Sequence, residues 1–233
     1  MVNRMKLYHW KAKTVFQLKK GASDFIKAYT TNLPDSPGNA FVDIHGKIVA
    51  VCDQFFVDRD HVYIVIESKF KERLLEHLEK YLNLTGTVLE PTSLRVYFDF
   101  EGTVAAEENE KVILQKKGQM ILTEKEHPSV SEEEFRRFRV ENLLPVQGVD
   151  YDAEMLLNVY EEGHVSYTKG CYLGQETICK VHTRGRAPQK LIVKDEKDCS
   201  VEEKARMTSA VLDPATGRQK GFVFIRNAEG LLS

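Results

Sequence analysis

The sequence contains few cysteines, and they form neither a disulfide framework nor a metal-binding pattern. Cys52, Cys171, Cys179 and Cys199 are irregularly spaced among 233 residues, and neither a CxxC nor an HxxxH pair occurs. A chain of this length can bury a core of its own, so it does not need disulfides to hold its fold. We therefore expect reduced thiols and no intrinsic metal site.

Long apolar runs and an excess of one charge sign are missing as well. The longest apolar runs, such as residues 62–66, are far shorter than the roughly 20 residues that span a bilayer. The N-terminal sequence MVNRMKLYHWKAK lacks the apolar stretch of a secretory signal. The formal net charge is −2, so no overall charge attracts the chain to nucleic acid or to an anionic membrane. We expect a cytoplasmic protein with no membrane partner, and direct nucleic-acid binding is not firmly indicated.

Common catalytic signatures are not found either. The sequence has no nucleophile elbow, no Walker loop and no dinucleotide-binding glycine pattern. Hydrophobic residues make up 42% and charged residues 29% of the chain, a balance that excludes wholesale disorder. The chain is therefore expected to fold, and its chemistry must come from a less common segment.

The residue pattern predicts an α+β fold with mainly antiparallel sheets. A hairpin is predicted by FVDI, the turn at Gly46 and IVAVCDQFFV, and the strand HVYIVI follows it. We predict a first helix capped by Ser23 and a second over residues 68–84, where apolar side chains recur at three- and four-residue steps. Ser131 and Glu134 have the spacing of a capping box, which predicts a third helix after Ser131.

The C-terminal part of the sequence differs from the rest. A polar, glycine-containing region follows Pro145, and it gives way to short predicted strands with the sequences KLIVK, SAVLD and KGFVFIR. We predict an α+β domain over residues 1–190 and a small β-rich region, a reduced barrel, over residues 191–233.

The most unusual segment is KGCYLGQE, residues 169–176. Its two glycines, Gly170 and Gly174, allow a ligand or another strand to approach closely. The following GQETICKV predicts two helical turns, so Cys171 would lie just before a helix N-terminus that favours the thiolate, and Lys169 would add a cation. One interpretation is a reactive, partly exposed thiol. The other is that Cys171 is a small buried apolar residue in a tight turn.

Two further patterns surround this segment. His164, Cys171, Cys179 and His182 are of residue types that can bind metal ions, but their spacing does not match a closed metal site. A run without carboxylates carries five basic residues, namely Lys180, His182, Arg184, Arg186 and Lys190. This run is either a site for a ligand carboxylate or phosphate, or a solvated face. No aromatic residue occurs between Tyr172 and Phe222, so stacking on RNA bases is not indicated.

The segment KGCYLGQE resembles the signature of the YgfZ-like folate-binding proteins, which are related to the glycine-cleavage T protein, an aminomethyltransferase. The likeness covers most of residues 15–190 and includes LKKGASDFIKAYTTNL, FVDIHGKIVAV, FRVENLLPVQGVDYD and HTRG. It implies a ring-like α+β fold around a central tetrahydrofolate pocket. It also implies a role in making or repairing iron–sulfur enzymes, including those that modify tRNA.

The resemblance assigns roles to particular residues. Cys171 would be the functional thiol. The residues that match the family's folate-binding segments are Asn32, Lys169, Gly170, Tyr172, Gly174, Gln175, Glu176 and Arg184. The implied partners are tetrahydrofolate or a derivative and iron–sulfur client or assembly proteins.

The sequence departs from the T protein where that enzyme has paired aspartates. In this chain Val49, Ala50 and Val51 follow the glycine turn. Methylamine transfer needs a carboxylate to orient and deprotonate the amine, so this departure argues against aminomethyltransferase activity. Two alternatives remain open. One is a one-carbon transferase using His45, Asp53 or Glu176, and the other is a folate-free module that binds RNA or an acidic protein.

Overall fold

The computed structural model describes residues 6–184 and 187–227, which form twelve β-strands and six α-helices. The strands are β1 (Leu7–His9), β2 (Lys13–Lys19), β3 (Gly38–Val42), β4 (Ile48–Asp58), β5 (His61–Glu67), β6 (Val88–Pro91), β7 (Arg95–Asp99), β8 (Lys111–Leu114), β9 (Gln119–Thr123), β10 (Gln189–Asp195), β11 (Thr208–Asp213) and β12 (Arg218–Arg226). The helices are α1 (Ala22–Tyr29), α2 (Lys71–Thr85), α3 (Glu132–Glu141), α4 (Leu156–Val159), α5 (Gln175–Thr183) and α6 (Val201–Ala205).

The strands form three sheets in which all pairings are antiparallel. A five-stranded sheet has the order β3-β4-β5-β2-β6, a four-stranded sheet the order β1-β7-β9-β8, and a three-stranded sheet the order β10-β12-β11. The predicted α+β class with mainly antiparallel sheets is confirmed.

Helices α1 and α2 cover one face of the five-stranded sheet. Phe25 and Ile26 of α1 and Leu74 and Leu78 of α2 are buried in one apolar cluster with residues of β2, β4 and β5. Each fully buried side chain of this kind stabilises the fold by about 1.5–3 kcal/mol. The predicted helix over residues 68–84 is confirmed as a 3-10 turn, Ser68–Phe70, that continues into α2.

The opposite face of the same sheet packs on the four-stranded sheet and α3. Val15 of β2 and Val65 of β5 share an apolar cluster with Trp10, Phe98 and Phe135. Successive side chains of a strand point to opposite faces, so β5 needs apolar residues at nearly every position to be buried on both sides. The continuous apolar sequence of β5 therefore reflects its central place in the fold.

The predicted N-cap of α1 is wrong, whereas that of α3 is confirmed. Gly21 in a left-handed conformation (φ 71°) precedes α1, and its N–H donates to Asp60. Ser23 lies inside the first turn, is buried, and caps nothing because the hairpin turn after β4 supplies the acceptors. Ser131 and Glu134 form both hydrogen bonds of the capping box of α3.

The three-stranded sheet is tied to the rest of the chain by a buried ion pair. Arg139 of α3 donates to Asp150 at 2.8 Å, and Asp150 also accepts from the hydroxyls of Thr208 and Ser209 at the start of β11. The three-stranded sheet also shares a buried apolar cluster with α3. The division into residues 1–190 and 191–233 stays a prediction. No helix within the described ranges is long and apolar enough to cross a membrane.

Candidate functional site

The segment 169–176 runs along α1 and then starts α5. Gly174 is the N-cap of α5 with φ 82°, and a Cβ there would lie 2.4 Å from the carbonyl oxygen of Asp43. Only glycine fits this position, since real Cβ atoms do not approach a carbonyl so closely and other residues avoid this φ. Thr177 of α5 donates to the Ile44 carbonyl, so α5 begins against the turn between β3 and β4. Gly174 therefore has a packing role.

Cys171 is exposed to solvent, so its interpretation as a buried apolar residue is wrong. A Cβ on the neighbouring Gly170 would meet nothing within 4 Å, so the space beside the thiol is open. The thiol lies three residues before the N-cap of α5. Its role as the functional group stays a prediction.

Lys169 makes its hydrogen bonds to the end of α1. Its ammonium donates to the carbonyls of Thr30 at 2.7 Å, Asn32 at 2.8 Å and Ile26 at 3.4 Å. Burial lowers the pKa of Lys169 to about 7, while three carbonyl acceptors favour the protonated form with its three N–H donors. The lysine thus hydrogen-bonds carbonyls in and just after the last turn of α1. The expected role of Lys169 as a cation for Cys171 is not supported by these contacts.

Asn32 and Tyr172 are likewise used inside the protein. The amide of Asn32 donates to the carbonyls of Gly38 at 3.0 Å and Gly163 at 2.9 Å, which fixes the start of β3 to the segment before Lys169. Tyr172 is buried in an apolar cluster, where burial raises the pKa of its hydroxyl.

The remaining predicted residues lie on or after α5. Gln175 is half-buried in the first turn, and Arg184 is exposed where the helix ends. Glu176 is exposed and pairs with Lys180 at 2.5 Å, which lowers the pKa of its carboxyl. His182 pairs with Glu161 at 3.0 Å. The predicted basic run is therefore partly neutralised, and its member Arg186 falls outside the described residues.

A large cavity lies at the centre of the described chain. Its volume is about 1170 Å³, and all three sheets together with α3, α4 and α5 contribute to its walls. None of the site residues expected from the family resemblance, all of them in the described ranges, lines this cavity. Sequence reasoning about the signature segment thus leads to a surface next to α1 and α5, and the cavity is formed by other residues.

One wall of the cavity carries a buried charge cluster. Lys13 donates to Asp53 at 3.0 Å and lies 3.5 Å from Glu67, and Gln115 donates to the second oxygen of Asp53 at 3.0 Å. Burial raises the pKa of Glu67 in spite of Lys13. Burial also acts to lower the pKa of Lys13, but the two carboxylates outweigh it and the pKa is raised. The Lys13 ammonium lies 4.5 Å above the ring of Trp10.

Another wall is built from stacked rings. His164 stacks on Tyr160 at 4.1 Å, and Tyr167 stacks on His182 at 3.8 Å. Burial lowers the pKa of His164, so its ring is kept neutral. Burial raises the pKa of Tyr167 to about 12. All four of these residues line the cavity.

The three residues of β4 that follow Ile48 are apolar, namely Val49, Ala50 and Val51. Ala50 is buried in the cluster under α1 and α2, and Val51 lines the cavity. The next cavity-facing residue of β4, Asp53, does carry a carboxylate, but Lys13 and Gln115 occupy both of its oxygens. Of the alternative transferase residues, His45 and Glu176 are exposed and do not line the cavity.

Sequence reasoning missed the most important polar residues of the cavity. Lys13, Glu67 and Asn158 belong to no recognisable sequence motif, so the sequence does not mark them as site residues. The available signal was a single charge at the end of the otherwise apolar strand HVYIVIE. Among the described residues, no group of three or more His, Cys, Asp or Glu side chains lies close enough to hold a metal ion, and this includes the set around Cys171.

Comparison with known proteins shows the fold of the chain. No protein-family model matches it. The chain is similar to the crystal structure of the glycine cleavage system aminomethyltransferase T from Bartonella henselae, with a TM-score of 0.65 and 10% sequence identity. The match covers 95% of this chain and 78% of that protein. The chain therefore has the fold of aminomethyltransferase T.

Proposed function

We propose that this chain is a folate-binding accessory factor for the assembly or repair of iron–sulfur proteins, with tetrahydrofolate or a derivative in the central cavity. The observation that carries the proposal is a cavity of about 1170 Å³ in a chain with the fold of aminomethyltransferase T. Small-molecule pockets typically measure about 300–1,000 Å³ and combine apolar and aromatic walls with a few polar groups. The resemblance of KGCYLGQE to the YgfZ-like signature supports the iron–sulfur part.

The walls of the cavity suit the chemistry of a folate. The aromatic side chains of Trp10, Tyr160 and His164 line the cavity, and aromatic walls suit a flat ring. At the rim, Lys190 is exposed and makes no ion pair with another described residue, so it is free to pair with a ligand carboxylate.

The same walls do not suit aminomethyl transfer. Val49, Ala50 and Val51, which follow the glycine turn, supply no carboxylate to deprotonate an amine, and of these Val51 lines the cavity. We therefore propose binding without this reaction.

Calorimetric titration of the purified protein with tetrahydrofolate tests folate binding. Val51→Phe adds a ring to the cavity wall and is expected to weaken binding at least about tenfold, because the added volume competes with the ligand. Val57→Phe is the control, since Val57 is exposed near the end of the same strand and does not line the cavity. Equal affinities for the two variants, or no heat with the wild-type protein, would contradict the proposal.

The exposed thiol supports a contact with a cluster, a metal or a partner cysteine. Cys171 has open space on the side of Gly170, and its sulfur is free. Cells that lack the protein should regain iron–sulfur enzyme activity with the wild-type chain and with Cys179→Ala, but not with Cys171→Ala. Full rescue by Cys171→Ala would remove the thiol from the mechanism.

A second candidate function, a folate-dependent one-carbon transferase, is favoured by Asp53 alone. This carboxylate is buried and lines the cavity, as a catalytic acid or base would. Both of its oxygens accept hydrogen bonds, so it is poorly placed to take up a proton. Incubation of the protein with methylene-tetrahydrofolate and cell extract distinguishes the two, since only the transferase consumes the folate.

A further inference from the structure

The hairpin between β8 and β9 reaches from the four-stranded sheet to the edge of the central cavity. Its turn is closed by the N–H of Gln115, which donates to the Gly118 carbonyl at 3.2 Å. Leu114, Gln115 and Lys116 all line the cavity, yet Leu114 and Lys116 are also exposed to solvent. The hairpin tip, residues 114–117, therefore lies between the cavity and the solvent.

The base of this hairpin is fixed by packing. Ile113 and Met120 are buried in the same apolar cluster as Phe98. Gly118, at φ 73°, fits so closely that a Cβ there would lie 2.4 Å from the carbonyl oxygen of Asp99. Segments with few buried contacts open locally at low cost, whereas packed segments do not. Movement of the hairpin is therefore confined to its tip.

Within residues 6–184 and 187–227, two polar side-chain contacts join the hairpin tip to the other walls of the cavity. The Gln115 amide donates to Asp53 at 3.0 Å, and the Lys116 ammonium lies 3.8 Å from the Glu162 carboxylate. The side chains of Lys116 and Glu162 are 72% and 93% exposed, so their pair contributes little to stability. The hydrogen bond to Asp53 is partly buried and has a charged acceptor, so it is the stronger contact.

The segment opposite the hairpin tip is held in place on both sides of Glu162. Tyr160 donates its hydroxyl proton to the Pro145 carbonyl at 3.0 Å, and the amide of Asn32 donates to the Gly163 carbonyl at 2.9 Å. Glu162 lies between these two anchors. It is therefore a fixed partner for a lysine on a movable tip.

We propose that the hairpin tip is a flap that opens and closes the cavity, with Gln115 on Asp53 and Lys116 near Glu162 as its closing contacts. In the closed state Gln115 also covers one oxygen of Asp53, and opening frees that oxygen inside the cavity. Weak contacts suit this role, because a flap has to open at little cost to admit a molecule. The inference concerns entry to the cavity and holds for any molecule that enters, so it goes beyond folate binding.

Acrylamide quenching of Trp10 fluorescence tests the flap in the purified full chain without a ligand. Trp10 is the single tryptophan of the chain, lines the cavity and is 9% exposed. Acrylamide reaches such a ring through openings of the structure, so the quenching constant reports how often the cavity opens. Gln115→Leu removes the hydrogen bond to Asp53 and should raise the constant about 5- to 20-fold.

Charge variants test the second contact. Lys116→Glu places a like charge opposite Glu162 and should raise the quenching constant about 2- to 5-fold. The exchange variant Lys116→Glu/Glu162→Lys restores a pair of opposite charges and should return the constant close to the wild-type value. Lys117→Glu is the matched control, because Lys117 is exposed on the same tip and does not line the cavity. Melting curves show that each variant is folded.

The results decide on the flap separately from the proposed function, since no folate is present. Wild-type quenching in both Gln115→Leu and Lys116→Glu would overturn the inference, because solvent then enters the cavity by another route. An equal rise in Lys117→Glu would also overturn it, since any charge change at the tip would then act alike. An exchange variant that is quenched like Lys116→Glu would remove Glu162 as a closing contact.

Discussion

Lys169 should stabilise the fold, even though it stands two residues from the exposed thiol. Replacing it by methionine keeps an unbranched side chain but removes the ammonium that donates to Thr30 and Asn32 at 2.7 and 2.8 Å. Hydrogen bonds from a charged group contribute about 1.5–3 kcal/mol each, and the side chain is only half-buried, so water partly replaces them. We expect the free energy of unfolding to fall by about 2–4 kcal/mol. For a chain of this size that lowers the melting temperature by about 4–16 °C.

Urea unfolding followed by circular dichroism measures this change, with Lys180→Met as the matched control. Lys180 also lies in this region, but it forms an exposed pair with Glu176 one helical turn away. Such pairs contribute about 0.3–0.5 kcal/mol, so the control should stay close to the wild-type protein. If the two variants unfold at the same urea concentration, Lys169 does not hold the segment to α1. Hydrogen exchange should also rise at residues 26–32 in Lys169→Met alone.

Three further predictions concern glycine geometry, pH and the buried ion pair. Gly174→Ala should lower the free energy of unfolding in urea by about 2–4 kcal/mol, because φ is 82° and the new Cβ would contact a carbonyl. Gly170→Ala lies in open space and should change it by less than about 0.5 kcal/mol. Equal effects of the two substitutions would contradict the packing role of Gly174. Burial lowers the pKa of His164, so the stability that the neutral ring contributes is present above about pH 6.5 and is lost as the pH falls further. In His164→Phe, the free energy of unfolding should therefore fall less between pH 7 and pH 5 than in the wild-type protein. Parallel curves of stability against pH would contradict this prediction. Asp150→Ala leaves Arg139 buried and without its ion-pair partner, so it should lower the free energy of unfolding by about 3–5 kcal/mol. Asp152→Ala is the control and should lower it by less than about 1 kcal/mol, because the pair of Asp152 with Arg73 is exposed. Similar losses of melting temperature in the two variants would show that the buried ion pair does not tie the C-terminal sheet to α3.

Local patterns in the sequence predicted the local structure well. The 3.6-residue spacing of apolar side chains predicted α2, and the capping-box spacing of Ser131 and Glu134 predicted the start of α3. Both signals involve residues a few positions apart, so they do not depend on the rest of the fold. The N-cap of α1 failed for the opposite reason: Asp60, which binds the N–H of Gly21, comes from a distant hairpin turn.

The sequence by itself determined the fold class and the principal elements, whereas the exposure of Cys171 was left open between two interpretations and was decided by the tertiary structure. Only the tertiary structure decided which residues form the cavity. Lys13 and Glu67 become neighbours through the register of β2 against β5, and Asp53 joins them through the pairing of β4 with β5. The packing of the signature segment along α1 likewise decided the role of Lys169, since the three carbonyls that it binds lie more than a hundred residues earlier in the chain. Contacts between such distant residues depend on strand register and packing, and no short-range pattern encodes them.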